Sequence, residues 1–137
     1  MTTQKKKIKV LFALICDDAR REDNGKEILI GVYSGGMMFP SLPVNVIINI
    51  WMRVIYEGEG EYNADLQVID QDGALITKGE DMRFPMKDNK DPGTIVIQGV
   101  PISVKKPGNL TFQWRHKDDN SWTTIVEIPV GIVKSPK

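Results

Sequence analysis

Cysteine and histidine are almost absent from this chain: Cys16 and His116 are the only ones among 137 residues. With one cysteine no internal disulfide can form, and the expected setting is a reducing cytoplasm. A zinc centre draws on several nitrogen and sulfur ligands, which one Cys and one His cannot supply. Nucleophilic catalysis has equally little to work with. Cys16 stands next to Asp17 and Asp18, whose negative charges raise a thiol pKa and weaken it as a nucleophile. Charge of one sign is missing too, since 18 Lys and Arg balance 18 Asp and Glu. No overall field draws the chain to nucleic acid or to an anionic membrane.

Long apolar runs are also lacking. The run Val10-Leu11-Phe12-Ala13-Leu14-Ile15-Cys16 follows Lys5, Lys6, Lys7 and Lys9, an order that mimics the start of a signal peptide. The run is short, Asp17 and Asp18 follow at once, and Ile15 is bulky where a lipoprotein signal needs a small residue. Export is therefore not expected. Nothing reaches the roughly 18 apolar residues of a membrane-spanning helix. The lysines read as a solvated, flexible tail over residues 1–7, leaving 8–137 as one domain. A phosphate loop is absent as well, because Gly35-Gly36 is followed by Met37-Met38-Phe39-Pro40 rather than by a lysine and a helix. No cofactor motif occurs.

What the chain does have is alternation. Val46, Ile48, Ile50, Met52, Val54 and Tyr56 occupy every second position, with Asn45, Asn49 and Arg53 between them, the spacing that puts one face of a strand in a core. The same period runs through Tyr62, Ala64, Leu66 and Val68, through Leu110, Phe112 and Trp114, and through Trp122 to Val130. Strands are expected over 8–16, 27–34, 44–56, 62–70, 74–84, 94–104, 109–116 and 122–133. Pro129 marks an edge or a bulge, since it cannot donate to a ladder. Asp72-Gly73, Lys106-Pro107-Gly108-Asn109 and Asp118-Asp119-Asn120-Ser121 are turn sequences. Short strands at such intervals, with no helical pattern, predict an all-β fold, a two-sheet antiparallel β-sandwich of about eight strands.

The stretch Cys16-Asp17-Asp18-Ala19-Arg20-Arg21-Glu22-Asp23-Asn24-Gly25-Lys26, followed by Leu29-Ile30-Gly31-Val32-Tyr33, resembles the N-terminal signature of a bacterial family of small uncharacterised proteins. The resemblance implies a bacterial β-sandwich of unknown function and no mechanism. Read physically, the signature is a strand, a polar connection over 16–26 turned by Asn24-Gly25, and a second strand. In that connection Asp17, Asp18, Arg20, Arg21 and Glu22 are expected to pair with one another, and Gly31 to let a bulky neighbour such as a tryptophan lie close.

Two apolar regions stand out. The connection over 35–43, with Met37, Met38 and Phe39, is expected to pack across the open end of the sandwich, with a contact surface as the alternative. The face of Trp51, which with Ile47, Ile55 and Ile125 falls on the outward side of its strand, is the other candidate contact surface. Apolar surface without chemistry points to a non-catalytic binding or structural module acting on a protein partner or on itself, a homodimer included, with no cofactor, nucleic acid or membrane. Calcium or sugar binding is the alternative, through the aspartates at strand ends (Asp17, Asp18, Asp23, Asp70, Asp72, Asp88, Asp91, Asp118 and Asp119) and through Trp51 and Trp122. An enzyme would need carboxylates and Arg20, Arg53 or Arg115 to converge in space.

Overall fold

The computed structural model describes residues 7–87, 93–117 and 119–133, and among these every regular element is a strand. Nine strands form in chain order: β1 (Ile8–Arg21), β2 (Glu27–Val32), β3 (Met37–Phe39), β4 (Val44–Tyr56), β5 (Gly60–Ile69), β6 (Leu75–Met86), β7 (Gly93–Val104), β8 (Gly108–His116) and β9 (Thr123–Ile132). They make a four-stranded sheet in the order β2-β1-β4-β7 and a five-stranded sheet in the order β3-β9-β8-β5-β6.

Alternation converts directly into a shared core. Ile48, Ile50, Met52 and Val54 of β4 are fully buried, as are Ala64 and Val68 of β5 and Phe112 of β8. One continuous apolar cluster joins the two sheets. Each large aliphatic or aromatic side chain so buried contributes about 1.5–3 kcal/mol relative to exposure, and this common core is what holds the two sheets together.

The expected two-sheet antiparallel sandwich of about eight strands holds as all-β with two sheets, but needs correcting in number, in pairing and in form, which is not a clear sandwich. The stretch over 35–43, read as a connection, contains β3, which runs parallel to β9 with Met37 opposite Val130 and Phe39 opposite Ile132. That sheet is consequently mixed, and it is curled as a half-barrel. Three residues between Gly35-Gly36 and Pro40 are too few to display alternation, and a parallel partner far along the chain leaves no local turn signal. The polar connection over 16–26 is a second correction: β1 continues to Arg21, and only the tip turns, with the Gly25 N–H donating to the Glu22 carbonyl at 3.0 Å. Gly25 has φ of 86° there, a conformation glycine adopts without strain. The Asp72-Gly73 turn behaves as expected, the Asp70 carboxylate accepting from the Asp72 and Ala74 N–H groups at 2.9 Å each. In β9, Pro129 falls just before the stretch paired with β3, beside an open edge.

Of the register shifts in the ladders, two are bulges that bear on buried polar side chains. In the β4–β7 ladder Ile48 faces Val100 but Ile50 faces Ile97, so Gln98 and Gly99 together oppose Asn49. In the β5–β6 ladder Glu80 and Asp81 together oppose Asp65. Bulges of this kind bend a strand and re-aim its neighbours, and both surround a buried polar side chain.

Candidate functional site

The first bulge organises the region over 16–33. Asn49 is 8% exposed; its amide oxygen accepts from the Gly99 N–H at 3.0 Å and its amide nitrogen donates to the Asp17 carbonyl at 3.3 Å. Beyond Cys16, β1 pairs only with β2, and the resulting hairpin folds back across the outer face of β4 and β7. Three observations mark this placement. The Trp51 indole N–H donates to the Glu27 carboxylate, Ala19 is buried, and Arg21 and Glu27 share a cavity wall with Thr94 and Val96.

The hairpin explains why Cys16, on the outward side of β1, is wholly buried. Burial, and then the charges of Asp17 and Asp18, push its thiol above the ordinary 9.0. Asp17 serves the hairpin too: its carboxylate accepts from the Tyr33 hydroxyl at 2.8 Å. Burial, and after it this hydrogen bond, push the Tyr33 phenol up to about 12. Gly31, at φ of 67°, has the Asp17 carboxylate where a Cβ would stand. The expected close neighbour of Gly31 is thus an aspartate and not a tryptophan.

The other signature charges settle around the same arm. Arg20 pairs with Asp18 at 2.7 Å and Arg21 with Glu27 at 2.9 Å. Glu22 and Lys26 close the tip through a backbone bond of 2.7 Å. The pairing expected among the acids and bases of 16–26 holds for Asp18 with Arg20, whereas Arg21 reaches across to β2 and Asp17 to Tyr33.

Outside the hairpin, the four-stranded sheet leaves an outer face open. Phe12 is 48% exposed and Ile55 38%, and the Phe12 and Trp51 rings lie 5.6 Å apart. Arg53 sits between Trp51 and Ile55 on this face, opposite Phe12 of β1 and Thr94 of β7. Between Arg53 and the hairpin tip runs a cleft of about 660 Å³, bordered by Arg21, Glu27, Trp51, Arg53, Lys87 and Thr94. Leu11 adds a further exposed side chain where β1 is bulged.

The remaining candidates fall elsewhere. In the 35–43 stretch Met37 and Phe39 are buried in the core, while Met38 is 53% exposed beside Gly131. Ile47 is exposed at the far end of β4, and Ile125 is half-buried. His116 is a rim residue whose Nε2 accepts from the Ile8 N–H at 2.8 Å, with Nδ1 facing the Asp119 carboxylate at 3.4 Å. Its lone pair is therefore occupied. Ile8 and Cys16 are eight residues apart on one strand, which separates His116 from the thiol by roughly 25 Å.

Arg115 lies in the other sheet from Arg20 and Arg53, paired with the buried Asp65 at 3.0 Å and stacked 4.2 Å from the Trp122 ring centre. Asp65 also accepts from the Asp81 N–H at 2.8 Å, satisfying the second bulge. Asp88, Asp91 and Asp118 lie outside the described residues, as does the tail over 1–6; Lys7 pairs with Asp119 at 3.3 Å. Among the described residues no three Asp, Glu, His or Cys side chains gather as a cation site, and no helix is long and apolar enough to cross a membrane.

A family of unknown function, DUF6941, matches residues 11–130. The chain belongs to this family. No curated protein matches it. The matched span begins at Leu11 and thus takes in most of β1, the whole hairpin, the Trp51 face and both bulges, so the features that shape the outer face lie within the family's own boundaries. Of these, Phe12, Glu27 and Asn49 escaped the sequence reading. Phe12 sits in a continuous apolar run and Trp51 in an alternating one, and only the β1–β4 register makes them neighbours.

Proposed function

We propose that this member of the family is a non-catalytic protein-binding module of a bacterial cytoplasm, and that its contact face is the outer face of β1 and β4. The observation that carries the reading is the composition of that face. Phe12, Trp51, Arg53 and Ile55 are contiguous and partly or largely open to solvent, and exposed aromatics around an arginine are the makings of an interface hot spot. The absence of a catalytic role rests on the two reactive side chains. The Cys16 thiol is buried with a raised pKa, and the His116 lone pair is spent on a backbone N–H. The lone cysteine and the 16–33 signature support the bacterial, reducing setting.

Site-specific photo-crosslinking in the native cell tests this. A benzoylphenylalanine in place of Phe12 or Ile55 is expected to give discrete adducts, and one in place of Lys105, in the turn after β7, none. An adduct of twice the chain mass would make a second copy the partner. Absence of adducts from both face positions, or the same adducts from position 105, would sink the reading.

A further inference from the structure

Resting on that reading, we propose that the cleft between the β1–β2 hairpin and the outer face takes an acidic segment of a protein partner, with Arg53 as the group that receives its carboxylate. The chain has five arginines, and four of them hold a carboxylate within 4 Å: Arg20 with Asp18, Arg21 with Glu27, Arg83 with Glu61 and Arg115 with Asp65. Arg53 alone has no ion pair or hydrogen bond among the described residues, although it is half-buried on a sheet face. A guanidinium in that state retains its capacity for a bidentate carboxylate, the strongest pairing open to it.

The surroundings extend the argument. Among the described residues Glu27 is the one carboxylate bordering the cleft, and both its oxygens are taken, one by Arg21 and the other by the Trp51 indole. Lys87, which also borders the cleft, is likewise without a carboxylate among the described residues. The described border of the cleft is therefore positive, with Trp51 and Met86 as apolar wall, and suits an anionic side chain flanked by aliphatic ones.

A second copy of the chain fits less well. A two-fold contact sets the same patch against itself, which opposes Arg53 to cations while the local carboxylate is already bound. Nucleic acid is disfavoured by the balance of 18 basic and 18 acidic residues, because a polyanion is held by a field that this chain does not generate.

Fluorescence anisotropy of the full-length protein tests the inference. The probe is an end-blocked, fluorescein-labelled peptide of alternating glutamate and leucine, at low salt, where exposed charges are least screened. Saturable binding is expected, about tenfold or more weaker in Arg53→Gln, the loss of one charged hydrogen-bonded pair. Arg53→Lys should fall between the two, since it keeps the charge and loses the fork. Arg83→Gln, which removes an arginine on the five-stranded sheet, should bind as the wild type does.

Four results would overturn the proposal: no binding, equal binding of the glutamine–leucine peptide, equal losses in Arg53→Gln and Arg83→Gln, or displacement by inorganic phosphate or a single-stranded oligonucleotide at concentrations no higher than the peptide's. If the peptide fails while crosslinks at positions 12 and 55 persist, the contact face stands and its preference for acid falls. Loss of both removes the face as well.

Discussion

Asp17 links the residues of the hairpin that alternation alone would leave unexplained. Its carboxylate fills the space beside Gly31 and accepts the Tyr33 hydroxyl, and its carbonyl accepts from Asn49. Tyr33 turns this into a pH dependence. Burial and the Asp17 hydrogen bond push its phenol from the ordinary 10.0 up to about 12, so folding favours the neutral phenol. The stabilisation is complete below pH 10 and is lost as pH rises through 12. Tyr33→Phe should therefore lower stability at neutral pH by about 1 kcal/mol, the net value of one hydrogen bond. In an ultraviolet titration the same substitution should remove a phenol ionising near pH 12. A wild-type protein in which every phenol ionises near pH 10 would refute the assignment. Little of this was legible beforehand. Asp17, Gly31 and Tyr33 stood out as signature residues, but sequence assigns no partner to a carboxylate sixteen positions from a phenol.

At the scale of strands, the buried carboxylate of Asp65 supports the bulge in β6. It accepts the Asp81 N–H and the Arg115 guanidinium, and Asp81 itself sits at φ of 50° with Asn63 and Lys117 on its side chain. Asp65→Ala strands both a backbone donor and a half-buried cation, and should cost about 3 kcal/mol in denaturant unfolding, the usual result of breaking a buried pair from one side. A loss below about 0.5 kcal/mol, the range of an ordinary surface change, would show that the bulge does not depend on it. The strands themselves were readable where alternation is long: β4 spans the expected 44–56, and β5, β7, β8 and β9 begin and end within two residues of expectation. What escaped was short or non-local. β3 has three residues and a parallel partner, and the outer half of β1 looks like a polar connection because its apolar cover comes from a sheet folded beneath it.

Taken as a whole molecule, the protein keeps its stability and its proposed contact face apart. One core holds the two sheets together, and Phe12, Trp51, Arg53 and Ile55 lie outside it on one sheet, beside a cleft that the hairpin builds. The outward position of Trp51 and Ile55 was visible in sequence as a break in the polar side of the alternation. Their union with Phe12 was not, because it requires the β1–β4 register, and the unpaired state of Arg53 becomes apparent only when the other arginines are seen with their carboxylates. The three tryptophans report on this division, since Trp51 borders the cleft, Trp114 is buried in the core, and Trp122 lies under Arg115 on the five-stranded sheet. Titrating the glutamate–leucine peptide while following the indole N–H resonances by nuclear magnetic resonance is therefore the most direct test of the proposed face. The account predicts a saturable shift of the Trp51 indole, with those of Trp114 and Trp122 unmoved; a shift of Trp122 with Trp51 unchanged, or no shift at any of them, would contradict it.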